Sequence, residues 1–376
     1  MRICYLSASE IPSRSANSVH VMKMCAAFSA EGHDVELFAR KGELMKDGDP
    51  FSRYGVRSPF PIHFFGWPKM RVLGPVIYVL RAFFHLLRSP APDLFYSRYI
   101  YLVYLASFLK APCIYEAHVF PTSPAQRLAE LLFMRRRTFH RLVVISDALK
   151  RDYLAACSKL PPERLVVAHD GADVPSESGP DFFREDVCGN GDKLKIGYVG
   201  QLYPGRGIDI IVQLSPRFPK MEFHVVGGSD EDVRYWKERA LSSNLFLHGY
   251  VNHGDIGTYY RSFDIALVPY QARLTLEGGK GNTVRWTSPL KIFEYMSYGK
   301  AIIASDLPVL REVLKNRENA LMVPPEDVEG WAFALEELAR DKSLMNRLGR
   351  TARKVLEEEY TWDKRVGRVL RSKHAR

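Results

Sequence analysis

Strand-like and helical segments alternate along the whole chain, and this alternation constrains the fold more than any other feature. Apolar runs typical of buried strands occur in the first part at residues 3–6, 35–38, 94–96, 113–115, 142–145 and 165–167. In the second part they occur at residues 194–199, 222–226, 245–247, 265–268 and 301–304. Helical patterns separate these runs. Such a sequence predicts an α/β protein with two doubly wound parallel sheets, each covered by helices on both faces.

A polar stretch rich in Pro and Gly divides the two series of strands, as expected of a linker. We therefore predict an N-terminal domain at residues 1–175, a linker at 176–192 and a C-terminal domain at 193–360. Residues 361–376 are expected to form a helix that packs back on the first domain. Because ligands of such sheets bind at the carboxyl ends of the strands, we expect the two domains to face a cleft.

The charge balance favours anionic partners, because Lys and Arg exceed Asp and Glu by 53 − 43 = 10. The five cysteines include no CxxC pair, which fits a reducing compartment. The first residues follow a strand pattern with no recognisable secretory leader, so we expect a cytoplasmic protein. None of the apolar stretches approaches the roughly 20 residues that a membrane-spanning helix needs.

A lysine stands in the first turn of a predicted helix, where a cation is unfavourable. Ser288 is the expected N-cap and Pro289 the first helical residue, which puts Lys291 at the third position, where Glu or Gln is preferred. The helix dipole opposes a cation there by about 0.3–1 kcal/mol. A bound phosphate would reverse the sign, because the free N–H groups and the ammonium would face one anion. The alternative is an exposed lysine paired with Glu294 one turn later.

Four segments occur in an order that resembles a known family. They are GYVGQLYPGRG at residues 197–207, SPLKIFEYM at 288–296, GKAIIASD at 299–306 and NALMVPP at 319–325. The chain thereby resembles the retaining, nucleotide-sugar-dependent glycosyltransferases of family 4, which have the GT-B fold of two Rossmann-like domains. The resemblance covers nearly the whole chain. It implies transfer of a sugar from a UDP- or GDP-linked donor to a hydroxyl acceptor, with retention and without a cofactor.

The resemblance also implies roles for residues of the C-terminal domain. The loop after the first strand would hold the donor diphosphate through Gln201 and Arg206, of which only Arg206 is charged. Gly207 would let the backbone approach closely or simply form a turn. At the start of the later helix, Ser288, Leu290 and Lys291 would bind the phosphates.

Glu294 matches the family's glutamate that accepts hydrogen bonds from the ribose hydroxyls. The family commonly has another glutamate seven residues earlier, in contact with the transferred sugar, but Thr287 stands here. The identity of the donor sugar is therefore left open.

In the N-terminal domain, His118 follows a predicted strand and matches the family's histidine near the reaction centre. It joins Glu294 as a catalytic candidate. Asn17 stands in the loop where the family often contacts phosphate through glycines. Arg98 either faces the cleft or lies along the start of a helix.

Two carboxylate clusters have the spacing of a metal site, but each has a structural interpretation. Asp47 and Asp49 lie in a predicted turn, and Asp232 forms a predicted capping box with Ser229. We therefore expect no metal ion, and no zinc-ligand spacing occurs either.

Apolar stretches with arginines at residues 67–88 and 128–141 suit the surface of an anionic membrane. The alternative is a pair of buried helices with solvated ends. If the first interpretation holds, the acceptor is a lipid-linked saccharide at the inner face of the cell membrane; otherwise a polysaccharide is expected. The basic charge has no accompanying nucleic-acid-binding motif.

Two other functions fit parts of the pattern. A nucleotide-sugar epimerase would share the fold and turn over the donor without an acceptor. A two-lobed sugar-binding protein would bind free sugar and release no nucleotide. A dehydrogenase is disfavoured, because no GxGxxG segment follows a predicted strand.

Overall fold

The computed structural model describes residues 1–46, 48–68, 70, 73–157, 160–175, 193–240, 242–273, 282 and 284–371 of the 376. The predicted linker at residues 176–192 lies outside these ranges. The chain divides into two compact units, one made of Met1–His169 with Trp362–Arg376 and the other of Asp170–Thr361. The divisions thus follow residues 169 and 361, where the sequence suggested 175 and 360.

The N-terminal unit is built on a seven-stranded parallel sheet. Its strands are β1 (Arg2–Ile11), β2 (Asp34–Lys41), β3 (Ile62–Phe65), β4 (Leu94–Ser97), β5 (Cys113–Ala117), β6 (Phe139–Val144) and β7 (Leu165–Val167). They are ordered β3-β2-β1-β4-β5-β6-β7 across the sheet. The chain builds outward from β1 in one direction and then in the other. This reversal creates a switch point between β1 and β4, beside the carboxyl ends where ligands of such sheets bind.

Helices cover both faces of this sheet. They are α1 (Ala16–Ala30), α2 (Pro50–Arg53), α3 (Leu73–Arg88), α4 (Ile100–Ala106), α5 (Pro124–Met134), α6 (Asp147–Ala156) and the C-terminal helix Trp362–Leu370. The connections through α3, α4 and α5 all advance in the same direction across the sheet, so right-handed crossovers place these helices on one face. The connection through α1 runs the other way and covers the opposite face, where α1 packs against the C-terminal helix.

The C-terminal unit repeats this plan with six parallel strands. They are β8 (Leu194–Val199), β9 (Met221–Val226), β10 (Leu245–Gly249), β11 (Ile265–Val268), β12 (Ala301–Ser305) and β13 (Leu321–Val323), in the order β10-β9-β8-β11-β12-β13. Its helices are α7 (Ile208–Leu214), α8 (Asp230–Lys237), α9 (Gly257–Ser262), α10 (Leu290–Ser297), α11 (Val328–Arg340) and α12 (Lys342–Val355). The switch point lies between β8 and β11.

The predicted fold class, an α/β chain with two doubly wound parallel sheets, is confirmed. Every predicted strand is present with small shifts at its ends. The structure adds β3 and β13, which are short edge strands. Prolines flank β3 on both sides, and because proline at a strand boundary usually indicates a loop, the pattern does not predict this strand.

A buried ion pair joins the C-terminal helix to the N-terminal unit. The guanidinium of Arg365 places Nη2 at 2.9 Å from Oε1 of Glu116 on β5, and Nη1 at 3.3 Å from Oε2. Its Nε also donates to the carbonyl oxygen of His169 at 2.9 Å. Beside it, Trp362 packs edge-on against His20 of α1, with ring centroids 5.4 Å apart. The last helix of the chain is therefore part of the core of its first unit.

We predict that Arg365→Ala destabilises the N-terminal unit, because it leaves the Glu116 carboxylate buried without its counter-charge. Loss of one partner of such a pair typically costs about 3–5 kcal/mol. Urea unfolding followed by circular dichroism measures the change. Lys364→Ala, at an exposed position of the same helix, is the matched control and should stay within about 0.5 kcal/mol of the wild type. Equal effects of the two substitutions would contradict the role given to the pair.

Candidate functional site

The site in the C-terminal unit begins where β8 ends, at Gly200. This residue has a φ of +145°, which only glycine adopts readily. A Cβ atom at this position would lie 2.6 Å from Nζ of Lys291. The absent side chain thus leaves room for the Lys291 ammonium beside the carboxyl end of β8, at the switch point of the sheet.

The ammonium of Lys291 is buried against aromatic rings. Its Nζ lies 3.7 Å from the ring centroid of Tyr198 and 5.1 Å from that of Tyr270. The residue is only 7% exposed, and within the described ranges Nζ makes no hydrogen bond, to Glu294 or to any other group. The alternative of an exposed lysine paired with Glu294 is therefore wrong. Burial, and secondarily the charge of Arg206, lowers the pKa of Lys291 well below its usual value.

Arg206 also contacts Tyr270. Its Nη1 donates to the hydroxyl of Tyr270 at 3.0 Å, and its Cζ lies 5.2 Å from the centroid of the same ring. Two cationic side chains thus converge on Tyr270. One of them, Lys291, has no hydrogen-bonding partner among the described residues. An anion with several oxygens could accept from both, which is the arrangement that a diphosphate favours.

The other two predicted residues of this loop have structural roles. Gly207 has a φ of +80°, and a Cβ at this position would lie 1.8 Å from the carbonyl oxygen of Pro269. Packing alone therefore requires a glycine here. Gln201 is half-buried, and its backbone carbonyl oxygen accepts a hydrogen bond from the Tyr198 hydroxyl at 2.7 Å. Binding of the donor by either residue stays a prediction.

Helix α10 begins one residue later than the sequence suggested. Pro289 is its N-cap and provides no side-chain hydrogen bond, so the helix starts at Leu290. The predicted cap at Ser288 is wrong, because the Ser288 hydroxyl instead accepts from the backbone N–H of Asp170 at 2.9 Å. Lys291 is therefore the second helical residue. The first amides of α10 have no side-chain cap, and helix starts of this kind attract anions.

Glu294 lies one turn further along α10 and is held in place by two side chains. His253 Nε2 lies 2.6 Å from Oε1, and the Tyr260 hydroxyl donates to Oε2 at 2.5 Å. Each carboxylate oxygen can accept more than one hydrogen bond, as binding of vicinal hydroxyls by Glu294 would require. Sequence analysis missed His253 and Tyr260, and no motif could have revealed them, since only tertiary packing brings Tyr260 of α9 and His253 of the preceding loop to the carboxylate.

In the N-terminal unit, three predicted residues gather at one edge of the sheet. His118 follows β5, Arg98 follows β4, and Asn17 lies in the first turn of α1, which follows β1. These three strands are neighbours, so their carboxyl ends are close. Arg98 Nη1 donates to the carbonyl oxygen of Asn17 at 3.4 Å. This contact places Arg98 beside the first turn of α1, and its role at a ligand site stays a prediction.

His118 is oriented by the buried carboxylate of Glu116. The distance from His118 Nε2 to Oε1 is 2.5 Å. Burial opposes ionisation of Glu116, but Arg365, His20 and the hydrogen bond with His118 together outweigh it and hold the pKa of the carboxyl well below its usual range. Burial, followed by the charge of Arg98, lowers the pKa of His118 to about 3. A neutral imidazole beside a carboxylate carries its proton on Nε2, which leaves Nδ1 as a hydrogen-bond acceptor.

The ligand atoms of His20, Glu116 and His118 lie within 4.8 Å of one another, the spacing of a metal site. The carboxylate is already shared with Arg365, whose charge would repel a cation placed there. Of the two clusters singled out in the sequence, the capping box between Ser229 and Asp232 is confirmed. In the other, Asp49 caps α2, and Asp47 lies outside the described residues.

Comparison with known proteins gives matches in both units. The model described as Glycosyltransferase Family 4 matches residues 18–175, and the model described as Glycosyl transferases group 1 matches residues 193–341. A phosphatidyl-myo-inositol mannosyltransferase of Mycolicibacterium smegmatis is 28% identical over 173 residues, 45% of this chain and 41% of the relative. An uncharacterised glycosyltransferase of Methanocaldococcus jannaschii is 22% identical over 240 residues, 59% of this chain and 57% of the relative. The chain thus spans about half the length of these relatives or less.

Among solved structures, HepE of Anabaena in complex with UDP-glucose matches with a TM-score of 0.74. It is 16% identical and the match covers 98% of both chains, which shows a common fold. Together with the two family models, this establishes that the chain belongs to the family 4 (group 1) glycosyltransferases with the GT-B fold. The resemblance read from the sequence is confirmed at the level of the family and the fold.

We predict that binding of a nucleoside diphosphate takes up a proton at Lys291. Burial lowers the pKa of Lys291, and an adjacent diphosphate would raise the pKa again by its charge, so proton uptake is expected at a pH near or above the lowered value. Calorimetric titration with UDP at constant pH, in two buffers of different ionisation enthalpy, measures this uptake. The apparent enthalpy should differ between the buffers in the wild type and not in Lys291→Met, which should also bind more weakly. The same enthalpy in both buffers for the wild type would contradict the prediction.

Proposed function

We propose that this protein transfers a sugar from a nucleotide-diphosphate sugar to a hydroxyl group of a saccharide acceptor. The observation that carries the proposal is the buried ammonium of Lys291, which has no hydrogen-bonding partner among the described residues and lies at the open start of α10. A site of this kind gains most from an anion that brings several oxygens at once. Arg206 adds a second cation beside Tyr270.

The proposed reaction needs charge stabilisation on the leaving group. The bond from the anomeric carbon to the phosphate oxygen breaks, and its electron pair leaves with the nucleoside diphosphate. The acceptor oxygen bonds to the same carbon and loses its proton. Lys291, Arg206 and the amides of α10 would stabilise the departing charge, so we propose that no divalent ion is required. Glu294 would hold the ribose through its two hydroxyls.

His118 would act on the transferred sugar. Its protonation is fixed by Glu116, so Nδ1 presents a lone pair that can accept a hydrogen bond from a sugar hydroxyl. A neutral imidazole also avoids repelling the positive charge that develops at the anomeric carbon. Retention of configuration is proposed from the family resemblance alone.

The donor is proposed to be UDP- or GDP-linked. The complexes of HepE with UDP and UDP-glucose make UDP the first nucleotide to test. Thr287, at the position where the family commonly has a glutamate, leaves the donor sugar open. Roles for Gln201, Gly207, Ser288, Asn17 and Arg98 in binding the donor or acceptor remain part of the proposal.

The acceptor is proposed to be a polysaccharide or a lipid-linked saccharide on the cytoplasmic side of the membrane. The phosphatidyl-myo-inositol mannosyltransferase relative supports a lipid-linked acceptor by its name. An epimerase of the same fold remains the competing enzyme, and it would convert the donor with no acceptor present. A sugar-binding protein is disfavoured, because the chain belongs to a transferase family.

We predict that His118→Ala lowers turnover about 10²-fold or more while leaving UDP affinity within about two-fold. The assay follows release of UDP from a UDP-sugar in the presence of EDTA, with and without a saccharide acceptor. UDP affinity is measured separately by calorimetry. His140→Ala, at an exposed histidine at the other end of the sheet, is the matched control. Full activity of His118→Ala would remove the residue from the catalytic list, and activity that requires added Mn²⁺ would overturn metal independence.

A further inference from the structure

Helix α3 has an apolar face that the N-terminal unit does not cover. One side of the helix packs into the core through Tyr78, Ala82 and Leu86. The opposite side carries five apolar residues at intervals of three and four positions, each between 43% and 56% exposed: Leu73, Val76, Leu80, Phe84 and Leu87. A helix on the surface of a soluble domain normally presents polar residues on its outer side. The uncovered stripe therefore indicates a binding surface.

The neighbouring helices extend this surface. Helix α4 packs against α3, and α5 packs against α4, on the same face of the sheet. Their exposed apolar residues are Tyr101 and Phe108 in and just after α4, and Leu128, Leu131 and Leu132 on α5. We refer to the outer sides of α3, α4 and α5, with the residues that follow α4 and α5 up to Lys110 and Arg137, as the three-helix face.

The exposed charges on the three-helix face are all of one sign. Its exposed cations are Arg81, Arg88, Lys110, Arg127, Arg135 and Arg137. Its single carboxylate, Glu130, is buried and accepts hydrogen bonds from Tyr115, Tyr153 and Gln126. Arginines also shield the apolar residues, since Arg136 lies over the ring of Phe108 at 3.9 Å. The surface thus combines apolar side chains with unopposed positive charge.

We propose that the three-helix face docks on an anionic lipid bilayer, with the apolar stripe of α3 entering the interface and the arginines contacting lipid phosphates. Apolar side chains flanked by cations are what an interfacial helix requires. A second copy of this chain fits poorly, because two such faces would bring only like charges together. A nucleic acid would use the cations but would have no use for the five exposed apolar residues of α3. Across the described ranges no helix has the length and apolarity to cross a bilayer, so the contact would be peripheral.

This inference deepens the proposed function, because a lipid-linked acceptor would bring the enzyme to a membrane. It rests on the proposed function in this respect only. Binding to vesicles requires no turnover. Failure of docking would therefore leave sugar transfer untouched, and failure of sugar transfer would leave docking untouched.

Flotation with vesicles tests the proposal. Full-length protein is mixed with phosphatidylcholine vesicles, with or without about one-third phosphatidylserine, and spun through a density gradient. We expect flotation with the anionic vesicles only, weakening as the salt concentration rises above about 0.1 M. Leu80→Ser/Phe84→Ser should lower vesicle binding about ten-fold or more by removing apolar contact, and Arg135→Glu/Arg137→Glu should lower it by removing charge.

The matched control is Phe333→Ser, which removes an even more exposed aromatic residue on α11 in the other unit. It should float as the wild type does, and all variants should keep the wild-type affinity for UDP. The proposal is overturned if the wild type fails to float, if it floats equally with neutral vesicles, or if the α3 double variant retains wild-type binding. Equal losses in the α3 double variant and in Phe333→Ser would also overturn it.

Discussion

The C-terminal unit is organised around one cation that the protein buries without a hydrogen-bonding partner in the described residues. Lys291 is held over the ring of Tyr198 in the space that Gly200 leaves free. An aromatic face stabilises an ammonium only in part, and burial makes its charge costly. The arrangement is therefore poor for stability and suited to an anionic ligand. The uncapped start of α10 and the nearby Arg206 also favour the binding of an anion.

In the N-terminal unit, by contrast, the buried charge of Glu116 is paired with other side chains. The Glu116 carboxylate is deeply buried, but Arg365, His20 and His118 surround it, so its charge is compensated by other groups of the protein. Its function is to fix the orientation and protonation of His118. This chain thus buries one cation without a hydrogen-bonding partner in the described ranges of its C-terminal unit, and it pairs the buried carboxylate of its N-terminal unit, where that carboxylate orients a histidine.

Local sequence was sufficient for the architecture and for only part of the candidate site. Alternating apolar runs predicted both sheets because each buried parallel strand is apolar by itself. Of the two edge strands that were missed, β3 stands between prolines, and β13 lies in a segment interpreted only as a family motif. Lys291 and Glu294 were found because they share one motif on one helix. His253 could not be found, since its contact with Glu294 depends on packing across 41 positions, and Arg365 reaches Glu116 across 249. The supposed cap at Ser288 was wrong because capping rules consider only nearby amides.

The account is tested most directly by a crystal structure of the protein with UDP bound. It predicts diphosphate oxygens within about 3 Å of Lys291 Nζ and of the Arg206 guanidinium, with the ribose hydroxyls donating to Glu294. The ammonium should have moved from the ring of Tyr198 towards the phosphates. A diphosphate bound elsewhere, with Lys291 still lying on that ring, would contradict the central claim.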